Sequence, residues 1–247
     1  MTAENLQALV PYVLIHAEAE APRECCGVVV REAGDGLVYI ACRNIASEKN
    51  QFVIDPEDYV RAADAGEIVA IAHSHVLTPP QPTEADRTEI ERSGLPWLIV
   101  NYPTGAYVIA APDGYRAPLV GRPFVHGVHD CYGLVRDYFA SVGVALNDYP
   151  RAYGWWDAED GPDLYRENFA SEGFVQIATG FEDARAKLRQ HDLILMNIRA
   201  RRDNHMAVYL GGGVILHHLI DQLSRRETYQ EFYQRRTTAV LRHRAFM

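Results

Sequence analysis

Two sets of side chains in this sequence have the types and spacing for hydrolytic chemistry. His73 and His75 stand two apart in a run that reads as a strand, so both imidazoles leave one face and can grip one ion. Asp86 follows eleven residues after His75, at the start of a helix, where a loop reversal returns its carboxylate to the pair. Two nitrogens and one oxygen leave a fourth position open for water, the arrangement of a catalytic rather than a structural zinc. Proton transfer there needs a nearby base, and Glu24, at the head of the first strand, is the candidate. The second set centres on Cys131, placed behind Asp130 at a helix start where backbone N–H groups and the helix dipole favour a thiolate. A thiolate attacking an amide needs a histidine to hold the proton and a third group to orient it. His205 and His217 sit on two strands joined through Gly211-Gly212-Gly213, a hairpin expected to bring them level beside that helix start.

The elements that must position these residues follow from periodicity and punctuation. Leu6, Leu9, Val10, Val13 and Leu14 predict one amphipathic helix over 3–20, ending before Pro22. Residues 26–30 and 37–42 read as a hairpin about the turn Ala33-Gly34-Asp35-Gly36. Asp55-Pro56 opens a short helix, 68–72 is a buried strand running into His73, the Pro-rich stretch 78–82 is loop, and Thr83 starts a helix to about Ser93. Strands at 97–100 and 107–111 close the unit. Three prolines between residues 111 and 123 put a boundary near residue 117. After it come a helix from Cys131 to about Val142, an acidic loop-rich insertion with Trp155 and Trp156, and a short helix near 163–170. A helix at 181–190 precedes strands at 192–198, 205–210, 213–218 and 238–243.

Glu24-Cys25-Cys26-Gly27, His73-Ser74-His75, Thr83 eight residues on and Asp86 three further resemble the JAMM, or Mov34, metallopeptidases over roughly residues 1–112. The resemblance implies Zn2+ on His73, His75 and Asp86, Glu24 as general acid/base, Thr83 near a developing oxyanion, and hydrolysis of peptide or isopeptide bonds. Zinc is the default ion for this set, with iron and manganese as alternatives. Where that family usually has proline after the second histidine, this chain has Val76, which puts loop rigidity in question more than the ligands. Asp130-Cys131-Tyr132-Gly133-Leu134-Val135, His205-Met206-Ala207-Val208-Tyr209-Leu210-Gly211 and His217 resemble the NlpC cysteine peptidases over about 118–247. That implies Cys131 as nucleophile, His205 as base, His217 as orienter and cell-wall peptide stems as substrate. His191-Asp192 replaces the Gly-Asp pair common before the catalytic histidine.

Together the resemblances imply an α+β chain of two domains. Residues 1–115 form a JAMM-like, cytidine-deaminase-like sheet flanked by helices, and 118–247 a papain-like NlpC fold with an antiparallel sheet and an N-terminal catalytic helix. The tandem order is similar to tail-tip assembly proteins of lambda-like siphophages. This implies other phage tail-tip proteins as partners, a bacterial host cytoplasm during assembly, and the virion tail tip as a later location. Two functions stay open: a bifunctional peptidase, or a tail-tip assembly protein whose sites are vestigial or used transiently.

Composition narrows the field. The formal net charge of −9 argues against nucleic acid, which demands a basic face. The charge is uneven, with 12 basic against 7 acidic residues over 181–247, which is either a solvated face or a docking surface for an acidic partner. No apolar run reaches the roughly 20 residues of a membrane span, and the first residues lack the pattern of a secretory signal. Cys25, Cys26 and Cys42 are expected to pack the strands as reduced thiols. His191 and His218 are expected to be non-catalytic. His126 and His129, the 199–202 arginine loop and the two tryptophans either line the cleft or sit apart from it.

Overall fold

A computed structural model describes residues 3–32, 34 and 36–247, and its contacts divide between Arg116 and Ala117 into two compact units. The first unit opens with α1 (Ala3–Gln7) and α2 (Val10–Glu20) where one helix is expected. The break lies at Pro11, which has no N–H to offer the Gln7 carbonyl and so fits only the first turn of a new helix. The apolar stripe survives the break: Leu6, Leu9, Val10, Val13 and Ala17 pack with Val69, Leu98 and Val100.

The hairpin β1 (Cys26–Arg31) and β2 (Leu37–Cys42) is antiparallel, with Cys26 opposite Cys42. Ala33 and Asp35 of its expected turn lie outside the described residues. Next comes α3 (Pro56–Ala65), capped by the Asp55 carboxylate accepting from Glu57 N at 2.8 Å. It is followed by β3 (Glu67–Val76), α4 (Glu84–Ser93), β4 (Trp97–Tyr102) and β5 (Tyr107–Ala110). The sheet order is β2-β1-β3-β4-β5, and β3 and β4 are its parallel pair, joined by a crossover through α4. Alternation along β4 sorts the two faces: Leu98 and Val100 meet α2, while Trp97 and Ile99 meet Ile90 of α4. His73 lies on the α4 face, its ring 4.6 Å from Phe52 and 5.5 Å from Trp97.

The second unit contains α5 (Cys131–Ser141), a 3-10 turn at Trp155–Asp157, α6 (Leu164–Phe169), β6 (Phe174–Thr179) and α7 (Gly180–Ala184). Then come β7 (Leu193–Met196), β8 (His205–Gly211), β9 (Val214–His217), β10 (Arg225–Thr228), α8 (Glu231–Gln234) and β11 (Thr237–His243). Six strands in the order β10-β9-β8-β7-β11-β6 pair antiparallel throughout. One face receives α5 through Leu134, Val135 and Phe139 against Leu193, Leu195, Met206 and Val208. The helix expected over 181–190 stops at Ala184. Arg242 Nη2 takes the Lys187 carbonyl at 2.8 Å, and His191 turns the chain with φ 75°. That left-handed conformation suits the glycine missing before Asp192. His191 holds it through Tyr138 Oη on Nδ1 at 2.8 Å and a stack on Phe246.

Candidate metal centre and candidate thiol site

β3 carries His73 and His75 to its C-terminal end, and the loop after it returns Asp86 in the first turn of α4. One ligand atom from each residue lies within 4.8 Å of the others, and all three residues are buried. His75 Nδ1 is 2.7 Å from the Pro79 carbonyl oxygen, an acceptor, so this nitrogen carries the hydrogen. His75 Nε2 then faces Asp86 Oδ2 at 3.4 Å, two lone pairs opposed unless a cation lies between them. A proton answers part of that demand: burial pulls His75 down, but Asp86, the Pro79 carbonyl and Glu24 outweigh it and the net shift is upward. His73 is fully buried, neither of its ring nitrogens has a hydrogen-bond partner, and Nε2 is 3.6 Å from Asp86 Oδ1. Burial lowers its pKa to about 4, so it is a neutral imidazole, the form that ligates. A lone pair without a partner on a neutral, fully buried imidazole, close to ligand atoms of His75 and Asp86, fits a divalent metal.

Thr83 and Asp86 form a capping box: Thr83 Oγ1 accepts from Asp86 N at 3.1 Å and donates to Oδ2 at 2.8 Å, and Thr83 N donates to Oδ2 at 2.7 Å. The hydroxyl proton of Thr83 is thus directed to Asp86, a different task from holding an oxyanion. Burial raises Asp86, yet His75, His73 and Thr83 together bring its pKa to about 2. Glu24 is 7 % exposed, and burial lifts its carboxyl to about 8, with His75 opposing and Asp86 adding to the rise. Ser74, between the histidines, binds β1 beside Glu24: its Oγ accepts from Cys25 N at 2.9 Å and its N donates to Cys25 O at 3.1 Å. Asn101, which the sequence reading missed, donates to the Thr78 carbonyl at 2.6 Å and accepts from Thr104 N. With the His75–Pro79 bond it braces the loop that Val76 leaves without its proline.

In the second unit Asp130 caps α5, accepting from Gly133 N at 2.8 Å and Gly127 N at 3.0 Å. Its buried carboxylate pairs with Arg151, Nε to Oδ2 2.9 Å, and Arg151 also ties Asp148 and the Gly127 carbonyl. Burial pushes Asp130 up, but Arg151 and the Gly133 amide more than offset this and its pKa is lowered. Cys131 follows at the first helical position, only 6 % exposed. The expected thiolate is not favoured in this closed site: burial and the Asp130 charge push the thiol up to about 12.

His205 Nε2 lies 3.1 Å from His217 Nδ1, and His217 Nε2 lies 3.1 Å from Glu227 Oε2. The two histidines are diagonal rather than level, because His217 pairs with Ala207 across a hairpin whose register shifts between Tyr209 and Gly211. Glu227 also accepts from Arg225 Nε and Tyr233 Oη, both at 2.8 Å. The acceptor at the end fixes every hydrogen: His217 donates to Glu227, His205 Nε2 donates to His217, and His205 Nδ1 keeps the free lone pair. Burial, with His217 and His218 beside it, holds His205 well below its usual pKa. The hydrogen bonds described for Cys131 Sγ go to Tyr165 Oη at 3.4 Å and the Asn204 carbonyl at 3.9 Å, not to His205. Glu227 was missed in sequence because Arg225-Arg226-Glu227-Thr228 has no apolar member to mark a strand.

The remaining candidates separate. His126 Nε2 contacts the Arg151 carbonyl, and Trp155 is buried in the core. Arg202 Nη1 donates to the Ala158 carbonyl, so this arginine of the 199–202 loop pins the acidic insertion. His129 and His218 are buried, and His218 Nε2 meets the Gln222 carbonyl. Cys25, Cys26 and Cys42 are buried free thiols in the strands.

Residues 7–112 match the family of prokaryotic homologs of the JAB domain, and residues 121–242 match the NlpC/P60 family. The class is therefore a tandem of two hydrolase-type domains. The chain is 38 % identical to tail tip assembly protein K of Escherichia phage N15 over 96 % of its own length and 95 % of that protein. It is also 38 % identical to tail tip assembly protein K of Escherichia phage lambda, over 78 % of its length and 90 % of that protein. A desampylase of Pyrococcus furiosus is 32 % identical over 32 % of this chain and 59 % of the desampylase. The chain belongs to the tail tip assembly protein K family. Among the described residues no helix is long and apolar enough to cross a membrane.

Proposed function

We infer that the chain works at the phage tail tip as a bifunctional hydrolase. Cys131 cleaves amide bonds in peptidoglycan peptide stems, and the His73, His75, Asp86 site hydrolyses a peptide or isopeptide bond. The observation that carries this is the hydrogen-bonded series from Glu227 through His217 to His205, which leaves one basic nitrogen on the strand beside the helix-initiating cysteine. His205 Nδ1 takes the thiol proton as sulfur attacks, and returns it to the leaving amine. A neutral thiol beside a neutral imidazole means the proton moves only when substrate excludes water and stabilises the charge.

At the first site His73, His75 and Asp86 would hold zinc, which when bound supplies Lewis acidity and acidifies a water molecule. Pro79 fixes the tautomer of His75, and Thr83 aims Asp86 from the capping box. Glu24 is placed to accept a proton and pass it to the leaving group. Burial raises its carboxyl, and a dication held by His73, His75 and Asp86 would lower it again. The sheet orders fit a cytidine-deaminase-like first domain, residues 1–115, and a papain-like second, 118–247. The partners are other tail-tip proteins and peptidoglycan stems, with assembly in the host cytoplasm and a later place in the virion tail tip.

Purified protein is to be incubated with host peptidoglycan and the released fragments read by mass spectrometry beside Cys131→Ala. Fragments that vanish in the variant support the reading, and none from folded wild type across several wall chemistries sinks it. One observation favours an assembly role with sites vestigial or used transiently: Cys131 is closed off at 6 % exposure. Stable complexes with tail proteins and no hydrolysis would be its signature.

A further inference from the structure

The short helix α6 belongs to neither motif set, yet it brings the candidate nucleophile a side-chain hydrogen-bond partner. Tyr165 Oη is 3.4 Å from Cys131 Sγ, and among the described residues this is the phenol's one hydrogen bond. The Asn204 carbonyl, 3.9 Å from the sulfur, only accepts, so it can hold a thiol proton but cannot stabilise a thiolate. The phenol can donate. Its ring is fixed at 6 % exposure, edge-on to Trp155 at 4.8 Å and tilted against Phe169 at 6.0 Å. The next residue anchors α6 to the sheet unit: Arg166 Nε and Nη2 reach Asp203 Oδ2 at 2.8 and 2.7 Å, and Asp203 accepts from Thr238 Oγ1 at 2.7 Å. A donor held this firmly beside a reacting atom is preorganised.

The geometry points to Tyr165 as a further catalytic residue of the Cys131 site, its O–H donating first to the thiolate and then to the oxygen that receives the charge. This rests on Cys131 being the nucleophile. In the step, the thiol proton passes to His205 Nδ1, the sulfur electron pair forms the S–C bond, and the C=O π pair moves onto oxygen. That oxygen is bonded to the carbon sulfur has just joined, so rotation of the phenol hydrogen about the C–O bond lets one donor follow the charge. The backbone N–H of Cys131, first in α5 and without an acceptor in its own helix, is the second donor on that side. Re-forming C=O expels the amine, which takes the proton from His205, and water then hydrolyses the thioester to acid and free thiol.

Four kinds of group face the sulfur. Asp130 of the α5 cap raises the thiol pKa, Arg151 of the insertion lowers it, and so do the hydrogen-bonded Tyr165 hydroxyl of α6 and, least of these, the Met206 amide of β8. His205, one residue before Met206, is neutral at rest. Removing the phenol oxygen alone therefore changes one favourable contact and leaves the rest.

The test labels full-length wild type and Tyr165→Phe with iodoacetamide across pH and quantifies carbamidomethylation on the Cys131 peptide by mass spectrometry. The variant keeps the ring. Its labelling midpoint is expected to rise by about one pH unit, with about tenfold slower labelling below the wild-type midpoint. On any stem fragment the wild type cleaves, kcat is expected to fall about 100-fold with KM unchanged. 3-Fluorotyrosine at position 165, a more acidic phenol of nearly the same shape, is expected to move the midpoint down and keeps the test open if the phenylalanine variant does not fold. Equal or faster labelling in Tyr165→Phe with an unmoved midpoint overturns the proposal and leaves Tyr165 as packing over the sulfur. If the closed resting thiol labels in none of these proteins, kcat on the stem fragment decides, an unchanged kcat in Tyr165→Phe overturning the proposal, and no labelling together with no cleavage by folded wild type contradicts the nucleophile reading and removes the tyrosine's role with it.

Discussion

The two candidate sites solve burial in opposite ways. In the first unit a buried histidine is left with two orphaned ring nitrogens, and a second histidine turns a lone pair onto a carboxylate. In the second unit every nitrogen of the His205–His217 contact has a partner or a task, and the series ends on a carboxylate braced by an arginine and a tyrosine. Unsatisfied buried polar groups cost about 1–3 kcal/mol each, a cost that the metal proposed for the first site would relieve in part. The second closes its series of hydrogen bonds within the fold, with Cys131 shut in. On the proposed function the first site would gain from a metal, the second from substrate and an opening.

Four experiments sharpen or break this contrast, beginning with the largest effect. Cys131→Ala is expected to reduce cell-wall peptide cleavage by on the order of 10³-fold or more while leaving metal content unchanged, read by fragment mass spectrometry and elemental analysis. Asp130→Asn takes from Arg151 its buried carboxylate, leaving it Asp148 and the Gly127 carbonyl, and is expected to lower stability by about 3 kcal/mol in urea denaturation. The Asp130 pair also sets a pH dependence. Its folded pKa is depressed below the unfolded value of about 3.9, so the stabilisation is whole above that value and disappears as pH falls through the folded one. The gap between wild type and variant should therefore shrink on acidification, and a gap that widens would contradict the pairing. Chelation is expected to destabilise the first unit alone, by about 2.7 kcal/mol relative to protein with free zinc at 100 times its Kd, seen as one of two calorimetric transitions moving. Glu227→Gln is expected to slow the thiol site about tenfold and to be without effect on metal binding, checked by kcat and by zinc stoichiometry.

The sequence carried the parts of this contrast that depend on local pattern. His73-Ser74-His75 on a strand, Thr83 and Asp86 three apart at a helix start, and Asp130 before Cys131 each follow from a spacing rule, and the helices beginning at Pro56, Glu84 and Cys131 with them. What it hid depends on long-range partners. Glu227 sits on β10, a polar edge strand without alternation, and meets His217 only through sheet pairing. β6 carries buried Phe174 and Ala178, but its run Phe174-Val175-Gln176-Ile177-Ala178-Thr179 lacks the period-2 alternation that marks a strand. The helix predicted over 181–190 ends at Ala184, and three residues beyond it the Lys187 carbonyl is taken by Arg242, more than fifty residues away. Pro11 was visible, and its break in the first helix is a local effect that the apolar stripe masked. The closure of Cys131 was beyond any spacing rule, since the helix-start argument favours a thiolate and only the packing of Tyr165 and its neighbours reverses it.

Bound zinc and peptidoglycan fragment release, measured together for wild type, Cys131→Ala and Asp86→Asn, tell whether the two proposed sites work independently in one chain. Independent sites give about one zinc per chain and fragments from wild type, zinc without fragments from Cys131→Ala, and fragments without zinc from Asp86→Asn. Loss of both properties in either folded variant, or neither property in wild type, would contradict this reading.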